Sequence, residues 1–370
     1  SFAACNNGGD VESKPDDSQS QPEESQGQEE EPFVAVHAER DDWADDVKAA
    51  INALVDTYGK ASATYADPYV VFDFDNTCSI FDVEEQLAIH QLNTMTFAIA
   101  PEDLTAVLEE GLGDLEEVRD DAKAYSVKKE AVSYSAVVED IVKAYTYLWE
   151  TYGPFTAAGL DEAKQAEVQA DPQWLEFATK MRVMYSFVGD AESADVAYPW
   201  ILYWFTGTSP EIESKAGQMT VTYYMGTTVS ENIKELWKVL DSNGIDVWVC
   251  SASATDPIRA AIDAWDLHQY CTGMLAMTNV VEDGKYVHKY DYENGCGWLA
   301  NEDGTWTRDT LPTKAQTQGV GKTTAIVNAI LPKYSNHGPV AGFMDSTGDF
   351  NFCTEFETLR LVICFNRANR

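Results

Sequence analysis

The sequence contains few basic residues. Its 370 residues include 25 lysines and arginines against 62 aspartates and glutamates, which gives a formal net charge of −37. No run of basic residues interrupts this acidity, and a surface with such a charge repels polyanions. Nucleic acid is therefore not an expected partner.

The cysteine and histidine patterns that bind zinc are also missing. The seven cysteines include no Cys-x-x-Cys pair, and the five histidines show no ligand spacing. Cys271 and Cys296 lie in a loop-rich region and could form a disulfide if the protein is exported. No apolar run approaches the roughly 18–20 residues that a bilayer-spanning helix needs.

The N-terminal segment differs in composition from the rest of the chain. From Asn6 to about Pro32 it is rich in Glu, Gln, Ser and Asp, so we expect residues 1–36 to form a disordered acidic tether. Small residues before Cys5 resemble the processing site of a bacterial lipoprotein, and a lipid on Cys5 would be the one link to a membrane. The expected location is the cell surface or periplasm of a bacterium.

Four apolar stretches predict buried strands, and polar side chains follow three of them. The stretches are Val70–Phe74, Ile245–Cys250, Val340–Met344 and Leu359–Phe365. Short connections through predicted helices favour an α/β fold with a Rossmann-like parallel sheet. The carboxyl ends of parallel strands meet at one crevice, so we expect the polar side chains to lie close together.

A long helical insertion follows the first strand. Predicted helices at Val83–Leu92, Leu104–Leu115, Tyr134–Trp149 and Gln173–Phe187 are not interrupted by a confident buried strand. Residues 83–228 are therefore predicted to form a helical cap, inserted into a core domain built from residues 37–82 and 229–370. Asp283-Gly284 predicts a peripheral hairpin within the core.

The residues after the strands suit metal-assisted phosphoryl chemistry. Asp73 and Asp75 lie on one face of the chain, and their mutual repulsion is tolerated mainly when a cation or a shared proton offsets it. Carboxylates of this kind bind hard cations such as Mg²⁺. A hydroxyl and an ammonium, available from Ser251 and Lys322, are the groups that phosphoryl oxygens require.

Four motifs in sequence resemble those of the haloacid dehalogenase superfamily of phosphohydrolases. They are Asp73-Phe-Asp75-Asn-Thr77, Ser251 after an apolar strand, Lys322, and the acidic pair Asp345 and Asp349. FDFDNT, FDVEE and the closing LRLVICFNR are similar to the branch that contains phosphorylcholine phosphatase and phosphoserine phosphatase. That branch carries a helical cap where residues 83–228 lie.

The resemblance implies an Mg²⁺-dependent phosphatase that hydrolyses a small phosphomonoester through an aspartyl phosphate. Asp73 would be the nucleophile and Asp75 the general acid and base. The metal would be held by Asp73, the Asp75 carbonyl and Asp345, with Asp349 reaching it through water or orienting Lys322. Thr77, Ser251 and Lys322 are assigned to the phosphate site, where Thr77 mainly braces the loop.

Several alternatives stay open at this point. Ser253 competes with Ser251, and Lys314 competes with Lys322, but we prefer the residue that directly ends the strand and the lysine that precedes a helix. Asp82 corresponds to the acid that meets the substrate's amino group in phosphoserine phosphatase relatives, which favours phosphocholine or another amine phosphate. Asp82 would equally serve as the N-cap of the helix that begins at Val83.

The alternatives extend to the function as a whole. GVGKTT at residues 319–324 is similar to a nucleotide-binding loop, but Gln316 stands where that motif needs a glycine. A surface lipoprotein that binds a ligand without catalysis, and a phosphotransferase or mutase, are the other two hypotheses.

Overall fold

The computed structural model describes residues 32–119, 130–223 and 227–366. A compact unit begins at Val34. Cys5 and nearly all of the predicted tether lie outside the described residues. Within those residues, no helix combines the length and the apolar character that crossing a bilayer requires.

A mostly parallel sheet organises the fold, which confirms the predicted α/β class. The strands are β1 (Tyr69–Phe72), β2 (Ser79–Ile80), β3 (Thr228–Val229), β4 (Asp246–Ala254), β5 (Gly273–Met277), β6 (Asn279–Glu282), β7 (Lys285–Tyr290), β8 (Cys296–Ala300), β9 (Trp306–Pro312), β10 (Ala341–Met344) and β11 (Leu361–Cys364). Seven of them form one sheet in the order β11-β10-β1-β4-β5-β8-β9, in which β8 pairs antiparallel with both of its neighbours, β5 and β9.

Helices cover both faces of the sheet and fill the insertion. They are α1 (Asp45–Tyr58), α2 (Val83–Thr94), α3 (Pro101–Glu109), α4 (Tyr134–Tyr152), α5 (Glu162–Gln169), α6 (Pro172–Ala191), α7 (Ala194–Leu202), α8 (Pro210–Tyr223), α9 (Glu231–Ser242), α10 (Thr255–Ala264) and α11 (Val320–Ala329). The predicted insertion is mostly helical within the described residues. It contains α5, α7 and α8, which were not predicted.

Strand β1 lies inside the sheet and is buried on both faces. Val70 and Phe72 pack into the cluster that α1 and α9 cover, whereas Tyr69 and Val71 point to the opposite side, under α11. In register, Val70 lies between Ala341 of β10 and Val247 of β4. A strand covered on both faces needs an unbroken apolar run, which explains why this stretch is so evident in the sequence.

The insertion has an extended apolar core of its own. Phe97, Tyr145 and Phe177 form a set of ring contacts at its centre, with ring centroids 5.3–5.9 Å apart. The segments that flank it meet in a short antiparallel pair, in which Ser79 of β2 lies opposite Val229 of β3. The chain therefore leaves and re-enters the sheet region at one place, directly after the end of β1.

Helix α8, at the end of the insertion, packs closely against α10. Gly217 faces Pro257 so closely that a Cβ atom at this position would lie 2.6 Å from the Pro257 Cα. Any larger residue would force the two helices apart. Elsewhere the predicted hairpin at Asp283-Gly284 is present as β6 and β7, but β8 and β9 extend the central sheet.

Candidate active site

Asp73 is the first residue beyond β1, and the sheet still holds its backbone. Its N–H donates to the Phe343 carbonyl of β10 at 2.9 Å, so the side chain is fixed relative to both strands. Thr77 Oγ1 donates to Asp73 Oδ2 at 2.9 Å and is buried, as a residue that braces the loop would be. The carboxylate is therefore oriented from two sides.

Lys322 lies in the first turn of α11 and is buried beneath the end of β1. Its Nζ donates to Asp73 Oδ1 at 2.6 Å and to Asp349 Oδ1 at 2.5 Å. Burial lowers the pKa of the ammonium, but its attraction to Asp73 and Asp349 outweighs that effect, so the net pKa is raised. Lys314, the competing lysine, is exposed. The structure therefore places Lys322, rather than Lys314, at the site.

The two predicted acids after β10 meet Asp73. One carboxylate oxygen each from Asp73, Asp345 and Asp349 lies within 4.8 Å of the other two, a spacing that would suit a shared cation. Asp349 Oδ2 is buried and has no hydrogen-bond partner in the part of the chain that the structure describes. Burial, only partly opposed by Lys322, raises the pKa of Asp73 to about 7. The cluster thus carries more negative charge than one lysine balances.

Asp75 is held by donors from two separate segments. Its Oδ1 accepts from the Val83 N–H at 2.6 Å, and its Oδ2 accepts from Ser253 Oγ at 2.6 Å. Burial raises the pKa of Asp75 well above its usual range, and the nearby charge of Asp82 adds to this effect. A carboxyl with a raised pKa keeps its proton near neutral pH, which a general acid requires.

The two serines near the end of β4 occupy different environments. Ser253 is buried but lines the cavity beside Asp75, at the hydrogen-bonding distance given above. Ser251 is fully buried, its Oγ is 3.4 Å from Asp75 Oδ2, and it accepts from the Ser253 N–H. The structure therefore brings the hydroxyl of Ser253, rather than that of the preferred Ser251, to the cavity surface.

Asp82 both caps a helix and lines the cavity. Its Oδ1 accepts from the Glu85 N–H at 2.8 Å, as expected of the N-cap of α2. The same side chain faces the cavity that contains Asp73 and Asp75. Both interpretations of Asp82 that the sequence left open are therefore compatible with its position.

The cavity has a volume of about 250 Å³ and draws its walls from the sheet edge and the insertion. The sequence assigned no role to several of its lining residues, namely Glu84, Tyr185, Ile201 and Gln318. Tyr198 begins an aromatic run at residues 198–224 of the sequence; it lines the cavity and is 41% exposed. Most other described aromatic residues of that run are buried in the core of the insertion.

The described cysteines are free thiols. Cys271 and Cys296 are both buried and do not form a disulfide with each other. Burial raises the pKa of the Cys271 thiol. These cysteines take no part in the cavity.

Solved structures align with most of the length of the chain. A conserved functionally unknown protein from Anaerococcus prevotii DSM 20548 aligns with a TM-score of 0.70 and 24% identity, over 89% of this chain and 87% of that one. Cytosolic 5'-nucleotidase IIIB bound to cytidine aligns with a TM-score of 0.32 and 12% identity, over 86% and 77% of the two chains. No family model and no curated protein matches the chain. The first similarity supports the fold, and neither identifies the reaction.

Proposed function

We propose that the protein is an Mg²⁺-dependent phosphomonoester hydrolase that acts through an aspartyl phosphate. The observation that carries this proposal is the meeting of three carboxylates and one buried ammonium in a single cavity, beside a fourth carboxylate, Asp75, with a raised pKa. A site that only bound a ligand would not need both Asp73 and Asp75.

The donor set fits a hard divalent cation. Asp73, Asp345 and Asp349 supply oxygen ligands, and the buried Oδ2 of Asp349 is an acceptor that a cation would satisfy. These three residues, together with the Asp75 carbonyl, would hold the ion. When bound, the cation would offset the negative charge of the phosphoryl oxygens.

The first chemical step joins Asp73 to phosphorus. A carboxylate oxygen of Asp73 attacks, an O–P bond forms, and the bond from phosphorus to the ester oxygen breaks. Asp75 gives its proton to the departing alkoxide, which leaves as a neutral alcohol. Lys322 donates to the phosphoryl oxygens, where negative charge increases in the transition state, while the Ser253 hydroxyl stays bonded to Asp75.

The second step returns the enzyme to its initial state. Water attacks the phosphorus of the aspartyl phosphate, and Asp75, now ionised, accepts the proton of that water. The bond between Asp73 and phosphorus breaks, and inorganic phosphate leaves. Asp75 is again protonated, so the two steps balance.

The rest of the cavity lining favours a cationic leaving group. It includes the carboxyl groups of Asp82 and Glu84 and the aromatic rings of Tyr185 and Tyr198. Carboxylates attract an ammonium, and aromatic faces attract quaternary amines through cation–π contacts. The proposed substrate is therefore a small amine phosphate, such as phosphocholine.

A phosphomonoester screen with and without Mg²⁺ tests this function. We expect phosphate release from p-nitrophenyl phosphate to require Mg²⁺ and to be abolished in Asp73→Asn, which keeps the shape of the side chain. Turnover that persists in this variant would exclude Asp73 as the nucleophile. Tight binding of phosphomonoesters without turnover would favour the non-catalytic lipoprotein, and phosphate appearing on an acceptor other than water would favour a phosphotransferase or mutase.

A further inference from the structure

Asp75 belongs to a closed ring of hydrogen bonds that joins the insertion to the sheet. Its two donors are the Val83 N–H, at the start of α2, and Ser253 Oγ, near the end of β4. The residues that follow these donors are also bonded to each other, since Glu84 Oε2 accepts from the Ala254 N–H at 2.7 Å. The third bond therefore closes the ring.

The bond between Glu84 and Ala254 sets the distance between the two donors of Asp75. Without it, the hydrogen bonds that link the start of α2 to the end of β4 in the described part of the chain would run only through the carboxylate that they orient. Glu84 is 7% exposed, so water cannot readily replace its acceptor oxygen. Removing the acceptor would leave the buried Ala254 N–H unsatisfied, which costs more than an ordinary hydrogen bond contributes.

We propose that Glu84 is a positioning residue, which fixes the orientation of Asp75 by holding Ser253 and Val83 in place. This inference rests on the proposed function, in which Asp75 is the general acid and base. Glu84 acts through the backbone of Ala254 and therefore need not touch the reacting atoms. A displacement of a proton donor by a fraction of an ångström is enough to slow proton transfer.

Hydrogen exchange tests the ring without reference to activity. In Glu84→Ala, we expect amide exchange at Ala254 to be at least about tenfold faster, because a bond of about 1.5 kcal/mol or more is lost. Glu84→Gln keeps an acceptor oxygen and should exchange like the wild type. Glu85→Ala is the matched control, since it removes a partly exposed acid from the same turn. Unchanged exchange in Glu84→Ala would overturn the proposal.

Kinetics with p-nitrophenyl phosphate and Mg²⁺ test the consequence for catalysis. We expect Glu84→Ala to lower kcat about tenfold with KM nearly unchanged, and Glu84→Gln to restore most of the rate. Ser253→Ala should be slow already, and adding Glu84→Ala to it should lower kcat little further, because both changes affect one ring. Multiplicative losses in the double variant would show that Glu84 acts elsewhere.

The two measurements separate the possible failures. If the wild type hydrolyses none of the phosphomonoesters tested, the proposed function fails, while hydrogen exchange still decides whether Glu84 holds the end of β4. If the wild type is active and Glu84→Ala retains its full kcat, the positioning role fails and the proposed function stands.

Discussion

Replacing Glu84 by glutamine should stabilise the protein at alkaline pH. Burial raises the pKa of Glu84 from its ordinary value of 4.5 to about 7, although the Ala254 N–H opposes this shift. Between these two pH values, the folded state binds a proton that the unfolded state releases, so the free energy of unfolding falls as the pH rises. Above pH 7 the accumulated loss is about 3 kcal/mol, at about 1.4 kcal/mol for each tenfold change in proton affinity. Glutamine cannot ionise and avoids this loss.

Melting temperatures at two pH values measure the effect. At about pH 4.5–5, Glu84 is largely protonated and resembles glutamine in charge, so any fixed cost of the substitution appears there. Between that pH and pH 8, the free energy of unfolding of Glu84→Gln should rise by about 3 kcal/mol relative to that of the wild type. For a unit of this size, this corresponds to about 4 °C in melting temperature. Calorimetry in the presence of EDTA keeps metal binding out of the comparison.

Two results would contradict this reasoning. If Glu84→Gln shifts the melting temperature equally at both pH values, Glu84 does not change its protonation on folding in this range. If the variant loses stability as the pH rises, the sign of the pKa shift is wrong. Glu85→Gln is the control, because nearly half of that side chain is in solvent, and it should leave the pH dependence of the wild type unchanged.

Three further predictions concern the charged cluster and the serines. Lys322→Met leaves Asp73 and Asp349 buried without their cation. Calorimetry of the metal-free protein should therefore show that the free energy of unfolding falls by about 3–5 kcal/mol, and unchanged stability would contradict this. Burial raises the pKa of Asp73 to about 7, so below that pH Mg²⁺ must displace a proton in order to bind. Titration calorimetry should then show about tenfold weaker Mg²⁺ binding at pH 6 than at pH 8, and equal affinities would refute this prediction. Ser253→Ala should lower kcat/KM about tenfold or more, and Ser251→Ala should lower it less, because the Ser253 hydroxyl bonds Asp75 at the shorter distance. A larger loss in Ser251→Ala than in Ser253→Ala would restore Ser251 as the phosphate ligand.

The central strand and the residues at its end are predictable from the sequence because burial on both faces imposes a visible pattern. Strand β1 must be apolar at every position, so the polar residues after it stand out. Parallel neighbours then carry Ser253 and Asp345 to the same edge, since parallel connections leave little choice of direction. The meeting of distant acids follows from topology.

The choice between Ser251 and Ser253 could not be made in this way. Both residues have the same parity in β4, so alternation assigns them to one face. Strand β4 in fact continues to Ala254, four residues past the predicted end, and its pairing with β5 is irregular between Cys250 and Ala254. With this irregularity, the Ser253 hydroxyl lies within hydrogen-bonding distance of Asp75 Oδ2, while Ser251 lies deeper, below Asp75. Such a shift depends on tertiary pairing, which local sequence does not encode.

Other elements were missed because their local signals are weak. Helix α5 is short and mostly polar, so its periodicity gives little indication of a buried face. Helix α7 contains Pro199, a residue that usually ends a helical pattern. Strand β5 begins with Gly273, whose missing side chain is required because a Cβ atom there would lie 2.6 Å from the Trp248 ring. Tertiary contacts, rather than propensity, decide each of these.

The residues of the cavity wall depend on the path of the whole insertion. Tyr185 and Tyr198 reach the cavity from α6 and α7, whose positions are set by aromatic packing inside the insertion. Glu84 belongs to the FDVEE motif, but the sequence gave no sign of its role, since an acid in the first turn of a helix ordinarily favours the helix dipole and faces water. Its bond to Ala254 exists because the chain returns through β4 beside the start of α2. Substitutions that alter how the insertion packs should therefore change substrate preference and the orientation of Asp75 while leaving the cluster around Asp73 intact.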